Sequence, residues 1–310
     1  MKLSVLVTTY GRPKYLERCI ESLLSQERLP DQIVIVTRDG DRETESFVTA
    51  KLASYDGPVA LVHARVTEPG VLAANREGMK HLAGDIVCFI DDDAAARPDW
   101  LRRIEKWFAC DERLGALGGR DVIHTEKGVR ERHTDTVGRI YWYGRIVGNH
   151  EKIFQGSARA EHLKGVNMSY RRELLIPFDK LILGNAHHYE TDQCFAVRHR
   201  GYHIVFDGDV VVDHYQDAPR HLKGNQAGAD AEREWFIHHN RVYVMLKNLG
   251  FGRREAFLFY TFVLDGGLDA ARTAIRSHGM TPAILSATYR GKIAGVRDWV
   301  IRTVLAKLDG

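Results

Sequence analysis

A chain of 310 residues with 44% hydrophobic and 27% charged content can bury a substantial core, as one large domain or one domain with an appendage. The net charge of +3 hides an asymmetry. Between Lys247 and Lys307 ten Lys and Arg face four acids, so the basic character belongs to the C-terminal part. Cys19, Cys88, Cys110 and Cys194 lack paired metal-type spacing and read as free thiols of a reducing compartment. Met1–Lys2 passes straight into an apolar segment too short and wrongly flanked for a signal peptide, so cytoplasmic residence is expected.

Residues 3–8 read as a strand and 9–13 as the turn after it. Pro13 suits a first helical turn, and Leu16, Cys19, Ile20, Leu23 and Leu24 recur at helical spacing as far as Gln26. A strand over 32–36, a loop over 37–41, a helix over 43–52, a strand over 59–62, a helix over 70–82 and a strand over 86–90 follow. Four alternations of strand and helix call for a mainly parallel sheet with right-handed crossovers. Residues 98–108 form an amphipathic helix with Trp100, Leu101, Ile104, Trp107 and Phe108 toward the core.

Strands are expected over 114–118 and 122–124, and 128–155 is polar, aromatic and strand-prone, where the regular alternation stops. A strand over 166–170, a helix over 188–200, strands over 202–206 and 210–213, and a polar, mobile connection over 216–227 come next. Helices then fill 229–249, 254–277 and 281–308. The organisation expected is one α/β domain over 1–227 and a helical, basic extension over 228–310. Its longest apolar stretch, 256–264, ends at Asp265, far short of the roughly 20 residues that span a bilayer. Phe257, Leu258, Tyr260, Phe262 and Leu264 beside many basic residues leave two readings, a helix lying on an anionic membrane surface or a cap packed on the sheet.

The chemistry concentrates at Asp91, Asp92 and Asp93, which follow the apolar run 86–90 without transition. Ligands of open α/β sheets bind beyond strand C-termini. Adjacent carboxylates repel unless a cation joins them, and an oxygen-rich site suits Mg²⁺ or Mn²⁺ shared with a diphosphate. Four loops should converge there: the first with Thr8, Tyr10 and Arg12, the second with Arg38 and Asp39, the third leading to Gly70 and Asn75, the fourth with the three carboxylates. A nucleotide fits this constellation, Asp39 accepting from a base and N–H groups around Tyr10 and Gly11 holding ribose or phosphate. A GxGxxG fingerprint and a GxxxxGK[ST] loop are both absent, against a nicotinamide enzyme or a P-loop kinase, and no nucleic-acid partner is expected.

In the second half, Glu190 and Asp192 stand in a helix's first turn, where either can cap the helix while the other faces a cleft as general base. His214, directly after Val210–Asp213, is placed to be a third metal ligand.

These stretches together resemble the inverting glycosyltransferases of family 2 with the GT-A fold. The resemblance rests on VLVTTYGRPKYLERCIESLLSQ, VTRDGD, EPGVLAANREGM, FIDDDAAARPDWL with its DxD motif, GVNMSYRRE and YETDQCFAVRHRGY, over residues 3–206 and more loosely to 249. It implies that Asp39 contacts the base, Asp91 the ribose or metal and Asp93 the metal, with His214 the late metal-binding histidine; Asp92, between the two metal carboxylates, is expected on the nucleotide-sugar side. Tyr189–Glu190 stands where the family usually shows Glu-Asp, which leaves the base between Glu190, favoured, and Asp192. Asn167 and Arg171, with residues 141–149, would shape the acceptor side.

The implied partners are a nucleoside-diphosphate sugar, UDP first and dTDP or GDP after it, and a glycan or lipid-linked acceptor, used in cell-surface polysaccharide or glycolipid synthesis. A nucleotidyltransferase would share the sheet and the metal, but Thr8–Arg12 carries a single glycine where such enzymes show a glycine-rich signature. A nucleotide-sugar-binding protein without turnover would need Asp93 and not Glu190.

Overall fold

The run Leu3–Thr8 forms the first strand, β1, of a computed structural model that describes residues 1–129, 131–184, 186–215, 226–274 and 281–308. Leu3 to Val7 are all buried, as befits a strand covered on both faces. α1 (Pro13–Leu24) starts on its proline and buries Leu16, Cys19, Ile20 and Leu23. β2 (Gln32–Arg38), α2 (Arg42–Ser54), β3 (Ala60–Val66), α3 (Val71–Met79) and β4 (Ile86–Asp91) complete the alternation. β1 pairs in parallel with β2 and β4, and β2 with β3. β5 (Ala94–Ala96) and α4 (Trp100–Cys110) follow.

Alternation along the strands divides the core. Leu3, Val5, Val7, Ile33, Ile35, Ile86, Cys88 and Ile90 pack with the apolar stripes of α1 and α4 on one face. The other face receives α3 through Gly78, where a Cβ would lie 2.3 Å from Leu6 Cδ1 and 3.0 Å from Val36 Cγ2.

The second half widens the same sheet. β6 (Leu114–Thr125), β7 (Gly128–Val129), β8 (Arg139–Ile140), β9 (Ile146–Val147), β10 (Ser157–Ala160), β11 (Asn167–Arg171), α5 (Tyr189–His199) and β12 (His203–Tyr215) come in turn. The strand order is β10-β12-β6-β11-β4-β1-β2-β3, with β5 on β12, β7 on β6, and β8 and β9 forming a separate ribbon. β11 runs antiparallel to β4 and β6, whereas β12 is parallel to β6.

Two expected breaks are absent. Residues 114–118 and 122–124 belong to one strand, β6, because Gly118 and Gly119 admit neighbours instead of turning the chain. A Cβ would lie 2.4 Å from Leu163 Cδ2 at the first and 1.9 Å from the Val210 carbonyl oxygen at the second. The expected strands over 202–206 and 210–213 are likewise one, β12, with a register shift between Asp207 and Val211.

The described residues fall into two compact units, one within Met1–Arg139, Val147–Pro177 and Gln193–Pro219, the other within Ile140–Ile146, Phe178–Asp192 and Arg220–Gly310. The sheet belongs to the first. The second holds α6 (Gln226–Asn248), α7 (Arg253–Phe259), a π-helical turn (Tyr260–Asp265), α8 (Gly266–Ala274) and α9 (Pro282–Leu308). The single helix expected over 254–277 is uninterrupted over 253–274 with a π-helical turn at 260–265, while its last residues, 275–277, and most of the expected connection 216–227, residues 216–225, lie outside the described residues.

α9 meets α6 closely. A Cβ on Gly291 would lie 2.4 Å from the Trp235 carbonyl oxygen, and one on Gly295 2.6 Å from that of His239. The buried Lys292 donates to the Thr261 carbonyl (2.8 Å) and lies 3.7 Å from Asp269. Among the described residues no helix is long and apolar enough to cross a membrane.

Candidate active site

Thr8 and Asp91 are register partners at the C-terminal edge of β1 and β4, where the sheet order reverses. This is the place at which an open α/β sheet leaves a crevice for a ligand. β4 delivers Asp91, and Asp92 and Asp93 occupy the turn into β5. β12 pairs with β5 so that His214 stands opposite Ala94, and β6 carries Asp121 alongside Val212. Ligand atoms of Asp91, Asp93 and His214 all lie within 4.8 Å of one another.

The imidazole is held from both sides. Nε2 of His214 is 3.4 Å from Asp93 Oδ1, and Nδ1 is 3.3 Å from Asp121 Oδ2. That Asp121 oxygen also accepts from Lys164 Nζ at 2.5 Å, while Oδ1 is buried without a hydrogen-bond partner. Burial works against a charged His214, but the hydrogen bonds to Asp121 and Asp93 and the field of Asp91 hold its pKa up to about 9.

The carboxylates differ in their surroundings. Burial and the neighbouring Asp93 push Asp91 above the usual carboxylate range. Burial also acts on Asp93, yet His214 and Arg12 outweigh it and hold Asp93 below that range. Asp92, fully buried, is pushed up to about 7 by burial, against the pull of Arg12. Arg12 grips both Asp92 oxygens with its guanidinium and donates to Asp93 Oδ2 at 2.7 Å. Asp92 thus serves as the inward counter-charge of Arg12.

The donor set fits a divalent cation. Two carboxylates and an imidazole within reach of one centre suit Mn²⁺ or Mg²⁺, and a buried carboxylate behind the imidazole is the usual support for a metal-binding histidine. Asp121 and Lys164 were not singled out in the sequence. The available signal was a carboxylate inside an otherwise buried strand segment, at a position where a lone charge needs a partner.

The neighbouring loops belong to the same sheet edge. Asp41 caps α2 by accepting from Thr44 N (3.3 Å), and its other oxygen accepts from Gly11 N at 2.5 Å, tying the first loop to the second. Arg38 lies over the Tyr10 ring at 5.4 Å, and Asp39 is exposed beside it, its N–H donating to the Val66 carbonyl. Gly70, with φ +105°, precedes α3, on which Asn75 is buried.

Asn167 and Arg171 have structural partners. Asn167 accepts from Trp100 Nε1 (2.9 Å) and donates to the carbonyls of Arg120 and Val210. Arg171 is the register partner of Ile86, at the edge opposite the carboxylates, and donates to the carbonyls of Leu114, Phe108 and Asp111. Asn167, the register partner of Ile90, thus stands one residue from Asp91 at the carboxylate edge, whereas Arg171 stands at the other end of the same pairing.

Glu190 and Asp192 belong to the second unit, in the first turn of α5. Asp192 is buried there, accepting from Lys247 Nζ (2.6 Å) and Asn248 Nδ2 (2.8 Å) with its two oxygens. Lys247 bridges further to Asp179, which also accepts from Tyr243 OH at 2.9 Å. Asp192 therefore pins α5 to α6.

Comparison with known proteins places the chain. The profile of Glycosyl transferase family 2 matches residues 4–177. Over 179 residues the chain is 29% identical to the glucosyl-dolichyl phosphate glucuronosyltransferase of Haloferax volcanii, covering 57% of this chain and 54% of that protein. It is 24% identical over 173 residues to the chondroitin synthase of Escherichia coli, covering 53% and 25%. The chain thus spans about half the length, or less, of these curated relatives. Among solved structures, the mannosyltransferase PcManGT of Pyrobaculum calidifontis, in complex with GDP-Man and Mn²⁺, superposes with a TM-score of 0.60 at 18% identity, covering 96% of this chain and 87% of that one. Residues 1–349 of S. aureus TarS in complex with UDP-GlcNAc give 0.58 at 16% identity, covering 87% and 76%. Likeness at this identity shows the fold, which is GT-A.

Proposed function

The chain belongs to glycosyl transferase family 2, and from that premise we propose that it moves a sugar from a nucleoside-diphosphate sugar to a hydroxyl acceptor in a metal-dependent, inverting reaction. The observation that carries this reading is the cluster of Asp91, Asp93 and His214 at the edge where the sheet order reverses. Asp91, Asp93 and His214 would hold Mn²⁺ or Mg²⁺, whose charge supports a departing diphosphate. Asp121 keeps Nδ1 of His214 engaged and so presents Nε2 to the cluster. Asp39 accepts from the base, and Thr8 and Tyr10 line the nucleotide side together with Asn75's helix. Arg12 neutralises Asp92 and shares Asp93, which lets three adjacent carboxylates coexist.

Glu190 is the proposed base that takes the acceptor proton as the anomeric carbon is attacked. The engagement of both Asp192 oxygens by Lys247 and Asn248 supports Glu190 over Asp192 in that role. UDP remains the first choice of nucleotide, with GDP and dTDP behind it; the solved neighbours are complexes with GDP-Man and UDP-GlcNAc. A glycan or lipid-linked acceptor is proposed, in cell-surface polysaccharide or glycolipid synthesis at the cytoplasmic face of an anionic membrane, and the dolichyl-phosphate sugar in the name of the Haloferax relative supports the lipid-linked choice.

Calorimetric titration of UDP, GDP and dTDP with and without Mn²⁺ tests the reading. One nucleotide should bind with Mn²⁺ and lose most of its affinity in Asp93→Ala. Binding that ignores both the ion and Asp93 would refute it.

A further inference from the structure

Exposed apolar bulk is concentrated in one part of this chain. Among the described residues fifteen large apolar side chains are exposed, and twelve belong to the second unit. That excess is too local to be the ordinary scatter of single surface hydrophobes.

α9 shows its organisation. Ala287, Thr288, Gly291, Lys292, Gly295 and Asp298 are buried, the two glycines against α6. Another stripe of the same helix carries Ile293, Val300, Ile301, Val304 and Leu305, from 44% (Val300) to 61% (Ile293) exposed. Arg290 and Arg297 fall on that stripe by the three- and four-residue spacing of a helix, and both are exposed. The single acid of α9, Asp298, is buried and accepts from Arg297 Nε (2.7 Å) while its other oxygen meets His239 Nε2 (2.9 Å). The outward stripe therefore combines aliphatic and basic side chains with no carboxylate. The segment before it adds Phe259, Val263, Leu264 and Leu268, all exposed across the π-helical turn.

Charge decides among the occupants such a stripe could take. A second copy would bring arginines against arginines, which is repulsive, whereas an anionic surface complements them. α9 is not apolar enough to cross a bilayer, so the matching geometry is a helix lying in the interface. We propose that the exposed stripe of α9 docks on an anionic phospholipid bilayer, with Ile293, Val300, Ile301, Val304 and Leu305 entering the acyl boundary and Arg290 and Arg297 meeting the phosphates. The inference rests on the membrane part of the proposed function and is independent of the transfer reaction.

The test is co-sedimentation of the full chain with phosphatidylglycerol vesicles and with phosphatidylcholine vesicles, at low and high salt. Binding is expected to phosphatidylglycerol, to weaken with salt, and to be poor on phosphatidylcholine. Ile301→Asp with Leu305→Asp should lower the partition coefficient about tenfold or more, and Arg290→Gln with Arg297→Gln about tenfold. Val129→Asp, on the first unit, should not change it. Circular dichroism of each variant separates lost docking from lost folding.

Absence of binding by the full chain, or equal binding by the Ile301→Asp/Leu305→Asp variant, overturns the proposal. So does a concentration-dependent dimer that this variant dissolves while neither protein binds vesicles, which would assign the stripe to a second copy. Donor turnover in vesicle-free solution, followed in parallel, shows whether transfer stands when docking fails.

Discussion

The carboxylate of Asp121 lies 3.3 Å from Nδ1 of His214, and the opposite edge of the ring faces Asp93 at 3.4 Å. A buried carboxylate on one nitrogen fixes which nitrogen remains to bind an ion. Asp121→Asn should lower Mn²⁺ affinity by about tenfold or more, because an amide holds the ring less firmly and withdraws a charge. Calorimetry reads the affinity, and an unchanged melting temperature would separate positioning from unfolding.

The same geometry sets a pH dependence. His214, held up to about 9 by its hydrogen bonds to Asp121 and Asp93 against the effect of burial, is protonated at neutral pH and must lose that proton to bind an ion. Mn²⁺ affinity should rise with pH up to about 9, by at most roughly tenfold per unit, with release of about one proton. Calorimetry in buffers of different ionisation enthalpy counts the proton; no release would contradict the assignment of His214 as a ligand.

Removal of Arg12 should destabilise the fold through Asp92. Arg12→Ala leaves a fully buried carboxylate without its counter-charge, at a cost of about 3 kcal/mol when Asp92 is ionised. Asp92 already stands near 7 because burial outweighs Arg12, and the variant raises it further. A raised carboxyl pKa means that the folded state holds the extra proton, so the variant's deficit grows as pH rises through this range. Urea denaturation at pH 6 and pH 8 should show the larger loss at pH 8.

His150 gives the opposite slope. It is buried, with Nε2 3.0 Å from the His162 carbonyl oxygen, and burial pushes its pKa down to about 4. The unfolded chain then holds more protons between pH 4 and about 6.5, so stability is full above that window and falls as pH drops through it. His150→Gln should flatten this part of the stability curve by up to about 1.4 kcal/mol per pH unit. A curve parallel to the wild type would refute it.

Glu190 and Asp192, two residues apart in one helical turn, should fail differently. Glu190→Gln is expected to lower kcat by about 10²-fold or more with little change in melting temperature. Asp192→Ala removes one partner each from Lys247, which keeps Asp179, and Asn248, which keeps the Val244 carbonyl, and should chiefly lower stability, by about 2 kcal/mol. Thermal melts beside single-turnover assays distinguish them, and the reverse pattern would exchange their roles.

The parallel half was legible because its signals were local: apolar runs, Pro13, and carboxylates at the end of a buried strand. Asp91, Asp93 and His214 were named from strand exits, and the structure brings their ligand atoms together. What escaped depended on distant contacts. Gly118 and Gly119 read as a strand end, yet their missing side chains make room for Leu163 and Val210. Asp207, Gly208 and Asp209 look like a turn but lie in the irregular stretch of β12, with Trp107 Nε1 donating to Asp207 at 2.6 Å. Asp121 declares itself only when Lys164 and His214 arrive from elsewhere in the chain. Arg171 matched a motif, but its antiparallel strand carries it to the far edge of the sheet.

The central claim is that the cluster of Asp91, Asp93 and His214 supports sugar transfer from a nucleotide donor. Its most direct test is release of nucleoside diphosphate from UDP-, GDP- and dTDP-sugars by the purified chain with Mn²⁺ or Mg²⁺, beside Asp93→Ala. The account predicts release from one nucleotide class that disappears on chelation and falls by about 10²-fold or more in the variant. Release that persists undiminished in Asp93→Ala or under chelation would contradict it.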